Sequence, residues 1–425
     1  MAGTAFLQNH PILTRKDLPK TIPIGLHGDA GAFSTTDSLF VLTWNSLLGV
    51  GTTMSKRWLM TIIKKSDVIP ETLNAIFEIL SWSFNVMLGG VWPELDWEGR
   101  PLPPRKEYLA GGLRGCLCQI RGDWEFHASI FGFPKWNGAV NMCWLCKASS
   151  GGPLAFTNFT ADAPWRATKR THESYLAELA ADGRPVPTLF ARVQGLRLES
   201  VMIDVLHTCD QGVASHVIGN VIQACCSRKA FHPGTLDQNL AALQERMDAW
   251  YKRHSVDSRL RGKLTKERVR TSGKWPKLKA KAAQTRHLAP FARELAEEFL
   301  DVRCQALCQL LCRFYEVLAS QGMFLDEDAK LELPQVGRRL CGLYAQLSRE
   351  SFQAGSKRWK VTPKVHLMLH LCEDQAPSVG NPKFYWVYAD EDLVGQMVEV
   401  AEACHASTMA ATAMAKWLVL IFEQE

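Results

Sequence analysis

The stretch "LHGDAGAFSTT", residues 26–36, decides how the chain is read. An apolar run, "TIPIGL", leads into His27, Gly28 and Asp29. A second β-like run, "SLFVLTW", follows the small and polar residues. The pattern predicts a strand ending on a carboxylate flanked by glycine and alanine. An unpaired buried carboxylate is costly. Asp29 therefore either belongs to a turn, where Gly-Asp is ordinary chemistry, or holds a cation.

Working outward, "KRWLMTIIKK" is a third β-like run. "IPETLNAIFEILSWSFNVMLGG" has helical spacing, with Pro70 near its first turn and Gly89 as its stop. "GCLCQIRGDWEFHASIFGF" reads as a fourth strand ending at Gly122-Asp123, with a helix just after. The order is three strands, a helix, a strand, a helix. Residues 147–196 read as an irregular connection. From 197 to about 372 the pattern is helical, including "PFARELAEEFLDVRCQALCQLLCRFYEVLASQG", which has helical spacing and whose Cys304, Cys308 and Cys312 share a core face. One more amphipathic helix follows "NPKFYWVYADED". The expected parts are thus an α/β core (1–146), a connection (147–196), an all-helical insertion (197–372) and a return to the core (373–425).

Composition sets bounds. The 425 residues are 47% apolar and 22% charged, which suits a folded chain with a sizeable core. A net charge of +6 permits a nucleic-acid partner without demanding one. Thirteen cysteines are sparse for a disulfide scaffold, and no signal peptide or membrane-spanning run is read. An intracellular, reducing compartment is expected.

Asp123 has the setting of Asp29, an apolar strand and then a glycine. If the two strands are neighbours, the carboxylates lie side by side and their repulsion is relieved by divalent cations. Such ions activate water and stabilise the leaving oxygen of a phosphodiester. A third acid is sought in Asp390, Glu391 and Asp392, at the start of the last helix, where acids are favoured by the helix dipole in any case. Glu391 is chosen, with Asp390 and Asp392 as possible supporting residues. "MCWLCK" supplies Cys143 and Cys146, half of a zinc site. "TPKVHLMLHL" supplies His366 and His370 on one helix face, with Thr362 as the expected cap. The four would hold a structural Zn²⁺ and tie the insertion's far end to the sheet; the alternative is two separate buried histidines. In "IDVLHTCDQGV", Asp204 and His207 sit one turn apart, either supporting the site or as a cap with an incidental histidine. Finally, residues 251–287 carry thirteen Lys/Arg against two acids. Lys274, Lys277, Lys279 and Lys281, with Trp275 as a stacking ring, are candidates for nucleic-acid binding, or for a solvated face.

The phrases "LHGDAGAFS", "GDWEFHASIFGFPKWNG", "MCWLCKAS" and "DVLHTCDQGVASHVIGNVI", in this order, resemble eukaryotic DDE transposases of the CACTA/EnSpm-like and Plavaka-like group. The CxxC with a late histidine pair and a following acid is similar to Transib and V(D)J recombinase cores. The resemblance spans residues 20–415 and rests on order and spacing. It implies an RNase H-like mixed sheet interrupted by the helical insertion. It further implies metal-dependent phosphodiester hydrolysis and strand transfer at transposon ends in the nucleus. Asp29, Asp123 and Glu391 would hold Mg²⁺ or Mn²⁺, with DNA as partner and a homo-oligomer on it. No separate N-terminal DNA-binding domain is read. The alternative is a domesticated, non-catalytic DNA-binding protein that retains the scaffold.

Overall fold

The computed structural model describes residues 10–422 apart from 12, 15, 139–140, 271–274 and 406. The described residues fall into two compact units. One comprises 1–135, 170–202 and 384–425, the other 136–169 and 203–383.

The first unit is built on a four-stranded mixed sheet. Its strands are β1 (Thr21–Ala32), β2 (Ser38–Ser46), β3 (Trp58–Lys64) and β4 (Arg114–Gly122), in the order β3-β2-β1-β4. β1 and β2 are antiparallel, with Asp29 opposite Val41. β2 and β3 are also antiparallel, whereas β1 and β4 run parallel. A parallel pair needs a crossover, and helix α1 (Pro70–Gly89) lies within it. Proline opens α1, and Gly90, not Gly89, closes it in the left-handed region at φ 66°. Helix α2 (Trp124–Phe131) starts directly after β4.

Both sheet faces are covered, which is why β2 is buried from Leu39 to Thr43 without the alternation of a half-exposed strand. On one face, Leu39, Val41, Leu59 and Ile62 pack against Leu393, Val394, Met397 and Trp417 of the helices Tyr388–Glu402 and Met409–Phe422. On the other, Phe40 meets Phe126 of α2, ring centroids 6.2 Å apart. The single expected C-terminal helix is therefore two.

Three further expectations change. β1 does not end at Asp29. It continues to Ala32 because β2 still pairs with it there, while β4 stops at Gly122 opposite Gly28. The CxxC belongs to the second unit, so a boundary at residue 146 is displaced. Residues 147–196 are not wholly irregular, because Thr171 caps a helix His172–Ala181 and a short helix Thr188–Arg192 follows.

Among the described residues, the named regular elements of the second unit are all helical. Asp301 accepts hydrogen bonds from the N–H groups of Arg303 and Cys304, starts a new helix, and divides the expected long one into Ala289–Phe299 and Val302–Ser320. Cys304, Cys308 and Cys312 are buried free thiols on the latter's inner face. Among the described residues no helix is long and apolar enough to cross a membrane.

The two Gly-Asp steps have a packing cause. A Cβ built on Gly28 would lie 2.1 Å from Cε2 of Phe126, and one on Gly122 would lie 2.4 Å from its Cδ1. The Phe126 ring fills the space that both glycines leave. Gly28→Ala should therefore destabilise the fold by about 1–3 kcal/mol through overpacking. Gly342→Ala, in the helix Glu327–Gln353 with open space around it, should stabilise by about 0.5–1 kcal/mol. Denaturant titration of both variants reads the difference, and an unchanged midpoint for Gly28→Ala refutes the role given to Phe126.

Candidate metal centres

Alternation along β1 puts His27 and Asp29 on one sheet face, opposite the face Gly28 turns to Phe126. The helix Tyr388–Glu402 lies on the His27–Asp29 face. A Cβ on Gly31 would come within 2.6 Å of Cγ2 of Val398, so glycine there permits the close approach. This brings Glu391, in the helix's first turn, to β1. Ligand atoms of His27, Asp29 and Glu391 all lie within 4.8 Å of one another, a spacing at which one cation can be shared. His27 is fully buried; Asp29 and Glu391 are half-buried. Asp29 Oδ1 also accepts the Ala30 N–H at 2.7 Å.

Asp123 stands outside this tight set. Its Oδ1 caps α2, accepting the Phe126 N–H at 2.7 Å. It nevertheless follows Gly122 as Asp29 follows Gly28, at the same level of the neighbouring parallel strand.

Asp390 has a different task from the one expected. It is 0% exposed and held by two arginines. Arg57 donates from Nε to Oδ1 at 2.8 Å, and Arg121 from Nη2 to Oδ1 at 3.1 Å. Arg121 also donates to Asn45 of β2. The carboxylate is thus engaged by β4 and by the segment before β3, and it fixes the turn that carries Glu391. Burial pushes its pKa up, but Arg121, His27 and Arg57 outweigh burial and hold it below the ordinary carboxylate value. Asp392 is exposed and accepts from Gln396 at 3.1 Å, away from any such role.

The second centre lies wholly within the helical unit. Cys143, Cys146, His366 and His370 are all buried, with ligand atoms within 4.8 Å of one another, and they can hold a metal ion such as zinc. The helix Pro363–His370 starts after Thr362 and presents both histidines on one face. Cys146 Sγ is 3.3 Å from His366 Nε2, and the two Nε2 atoms are 3.1 Å apart. Tetrahedral zinc bonds of about 2.0–2.3 Å make ligand–ligand edges of about 3.3–3.8 Å, so the 3.3 Å gap stands at the short end of that range and the 3.1 Å gap just below it. Cys143, followed by burial, holds the Cys146 thiol up at about 11, against the opposite pull of His366 and His370. His370 Nδ1 meets Asp374 Oδ2 at 2.7 Å, and Lys169 donates to that carboxylate's other oxygen at 2.5 Å. A carboxylate on the outer nitrogen of a ligand histidine fixes its tautomer and orientation. Since all four residues belong to one unit, they do not join the insertion to the sheet unit, as the sequence reading expected.

Asp204 and His207 also belong to the second unit. Asp204 Oδ2 accepts the His207 N–H at 2.7 Å and meets its Nδ1 at 2.9 Å, so the aspartate is both cap and partner. A π-helical segment, Leu206–Ala214, begins there. In the basic stretch, Lys274 lies outside the described residues. Trp275 is half-buried, as is Lys277, whose pKa is lowered first by burial and then by Lys279. Lys279 and Lys281 are exposed. The segment is pinned by Leu278 N–H donating to Ser215 O at 2.8 Å.

The chain matches no protein-family model and no curated protein sequence.

Removing the Asp390 charge leaves Arg57 and Arg121 buried without that counter-charge. Asp390→Asn should cost about 3–5 kcal/mol at neutral pH, whereas Asp392→Asn should cost almost nothing. A folded-state pKa below the unfolded value contributes stability that is present above about pH 4 and lost as pH falls through the folded value. The gap between wild type and Asp390→Asn in thermal midpoint should therefore narrow below pH 4. A constant gap across pH 3–7 excludes the ion-pair explanation.

Proposed function

We infer that the chain is a metal-dependent DNA strand-transfer enzyme of the DDE transposase kind, with an RNase H-like core. One observation carries the reading. Two Gly-Asp steps stand at the same level on adjacent parallel strands of a β3-β2-β1-β4 sheet, and a helix on that sheet's face brings Glu391 within 4.8 Å of Asp29. The mixed four-stranded order, with β1 antiparallel to β2 and parallel to β4, supports the RNase H-like reading. Asp29 and Glu391 would hold the divalent cation, Mg²⁺ or Mn²⁺, and Asp123 would join them from β4. The cation supplies an activated water and charge stabilisation at the leaving oxygen. Asp390, through Arg57 and Arg121, keeps Glu391 aligned. Lys279 and Lys281 would neutralise DNA phosphates. DNA as partner, a homo-oligomer on it and a nuclear location belong to the same reading. Zinc at Cys143, Cys146, His366 and His370 would be structural, since four protein ligands close its coordination.

Two measurements test these assignments. Nicking and gel shift are run on one DNA with Mg²⁺ or Mn²⁺ across a salt series. Asp29→Asn, Asp123→Asn and Glu391→Gln should each reduce nicking at least about 100-fold while binding is kept. Lys279→Ala should weaken binding and lower its salt slope by about one. Wild type that binds and never nicks with either metal replaces the enzyme by the non-catalytic DNA-binding reading. Elemental analysis should find about one zinc per chain. Both Cys143→Ser and His366→Ala should lose it; retention in either variant rejects the four-ligand site.

A further inference from the structure

The cluster at the sheet contains a nitrogen ligand, and this bears on which ion it takes. We propose that His27, Asp29 and Glu391 form a mixed imidazole–carboxylate site for Mn²⁺, with His27 as a direct ligand that discriminates against Mg²⁺. The inference rests on the reading of Asp29 and Glu391 as metal ligands, but it concerns metal selection and not DNA cleavage. Mg²⁺ is bound through oxygen in near-ideal octahedra and keeps several waters. Imidazole suits transition ions, and a set of one nitrogen and two carboxylates lies between the Mg²⁺ preference and a thiolate zinc site.

The imidazole is held for this task. His27 is 0% exposed and sits mid-strand, with buried Thr43 opposite it on β2 and buried Arg121 in register on β4. A buried ring on a strand paired on both sides has less freedom to withdraw than a surface histidine. Its ligand atom lies within 4.8 Å of those of both acids. The local charge also suits a divalent ion. Asp390 is committed to Arg57 and Arg121, which leaves Asp29 and Glu391 to face the cation. Donor hardness then sorts two metals within one chain. The Cys143–Cys146–His366–His370 set draws zinc, and the His27 set takes the harder ion.

The test uses the full chain with its zinc bound, without DNA. Mn²⁺ is titrated and free ion is read by electron paramagnetic resonance. Pulsed measurements then look for nitrogen coupling to the bound Mn²⁺. Wild type should show the coupling, and its pattern should change in protein labelled with ¹⁵N-histidine. Mg²⁺ should displace Mn²⁺ only at more than about tenfold excess. His27→Gln should lose the coupling and at least about tenfold in Mn²⁺ affinity. Should that variant fail to fold, the labelled wild type decides by itself. Bound Mn²⁺ without nitrogen coupling, equal competition by Mg²⁺, or no Mn²⁺ binding overturns the proposal. A chain that shows the coupling and never nicks DNA keeps the proposal and rejects the strand-transfer reading.

Discussion

The sheet unit depends on one buried charge. Asp390 sits fully out of solvent between Arg57 and Arg121, more than 250 residues away in sequence. Three buried ions are tolerable only as a matched set, because any one alone carries a large desolvation penalty. The set specifies where the helix Tyr388–Glu402 docks, since only one position lets Asp390 reach both guanidinium groups. That docking seats Leu393, Val394 and Met397 on the apolar face of β2 and β3, and it puts Glu391 beside Asp29. A hydrophobic contact alone would tolerate a shifted helix; an ion triad does so poorly.

The helical unit solves the same problem with a different bond type. Residues 143–169 have little regular structure, and their backbone hydrogen bonds close short turns within the segment without tying it to the helices. Arg166 and Arg338 meet Glu373, Lys169 meets Asp374, and the cysteines face the histidines one turn earlier. Trp165 closes the contact, its ring 4.5 Å from that of His366. A metal at four buried ligands would add a free energy that loop packing does not supply. The π-helical turn Leu371–Gln375 follows directly. Within it, Gln375 accepts the Ile203 N–H at 2.7 Å.

What could be read from the sequence follows from range. Strand and helix alternation through residue 131 is local, and the order of elements follows from it, although β1 runs past Asp29 to Ala32. The pairing of two Gly-Asp steps was legible because both obey one local grammar, although the reason for glycine, the Phe126 ring, needs the third dimension. The role of Asp390 was not legible. Three acids in a row at a helix start look alike, and only arginines 269 and 333 residues away tell them apart. The helix break at Asp301 was not legible for a simpler reason: a capping aspartate inside an apolar repeat of the right period leaves the helical spacing unbroken. The zinc-type ligands were legible as types, but their unit was not, since chain order put the CxxC next to the sheet.

His27 shows where a readable signal went unused. It precedes Asp29 by two, and in a strand that spacing alone places both on one face. A strand hypothesis for residues 21–29 therefore implied that any ion at Asp29 would meet an imidazole. Burial usually explains a histidine in an apolar run, and that explanation suffices until a second ligand arrives from elsewhere in the chain. Glu391 arrives from a helix far along the chain, 362 residues after Asp29, positioned by the neighbouring Asp390. The character of the site is thus divided. Strand periodicity supplies the nitrogen and one carboxylate in fixed geometry, and the ion triad supplies the other carboxylate. Weakening the triad would leave the backbone of His27 and Asp29 in place and loosen the turn that carries Glu391, while His27 would feel the change through its charge interaction with Asp390.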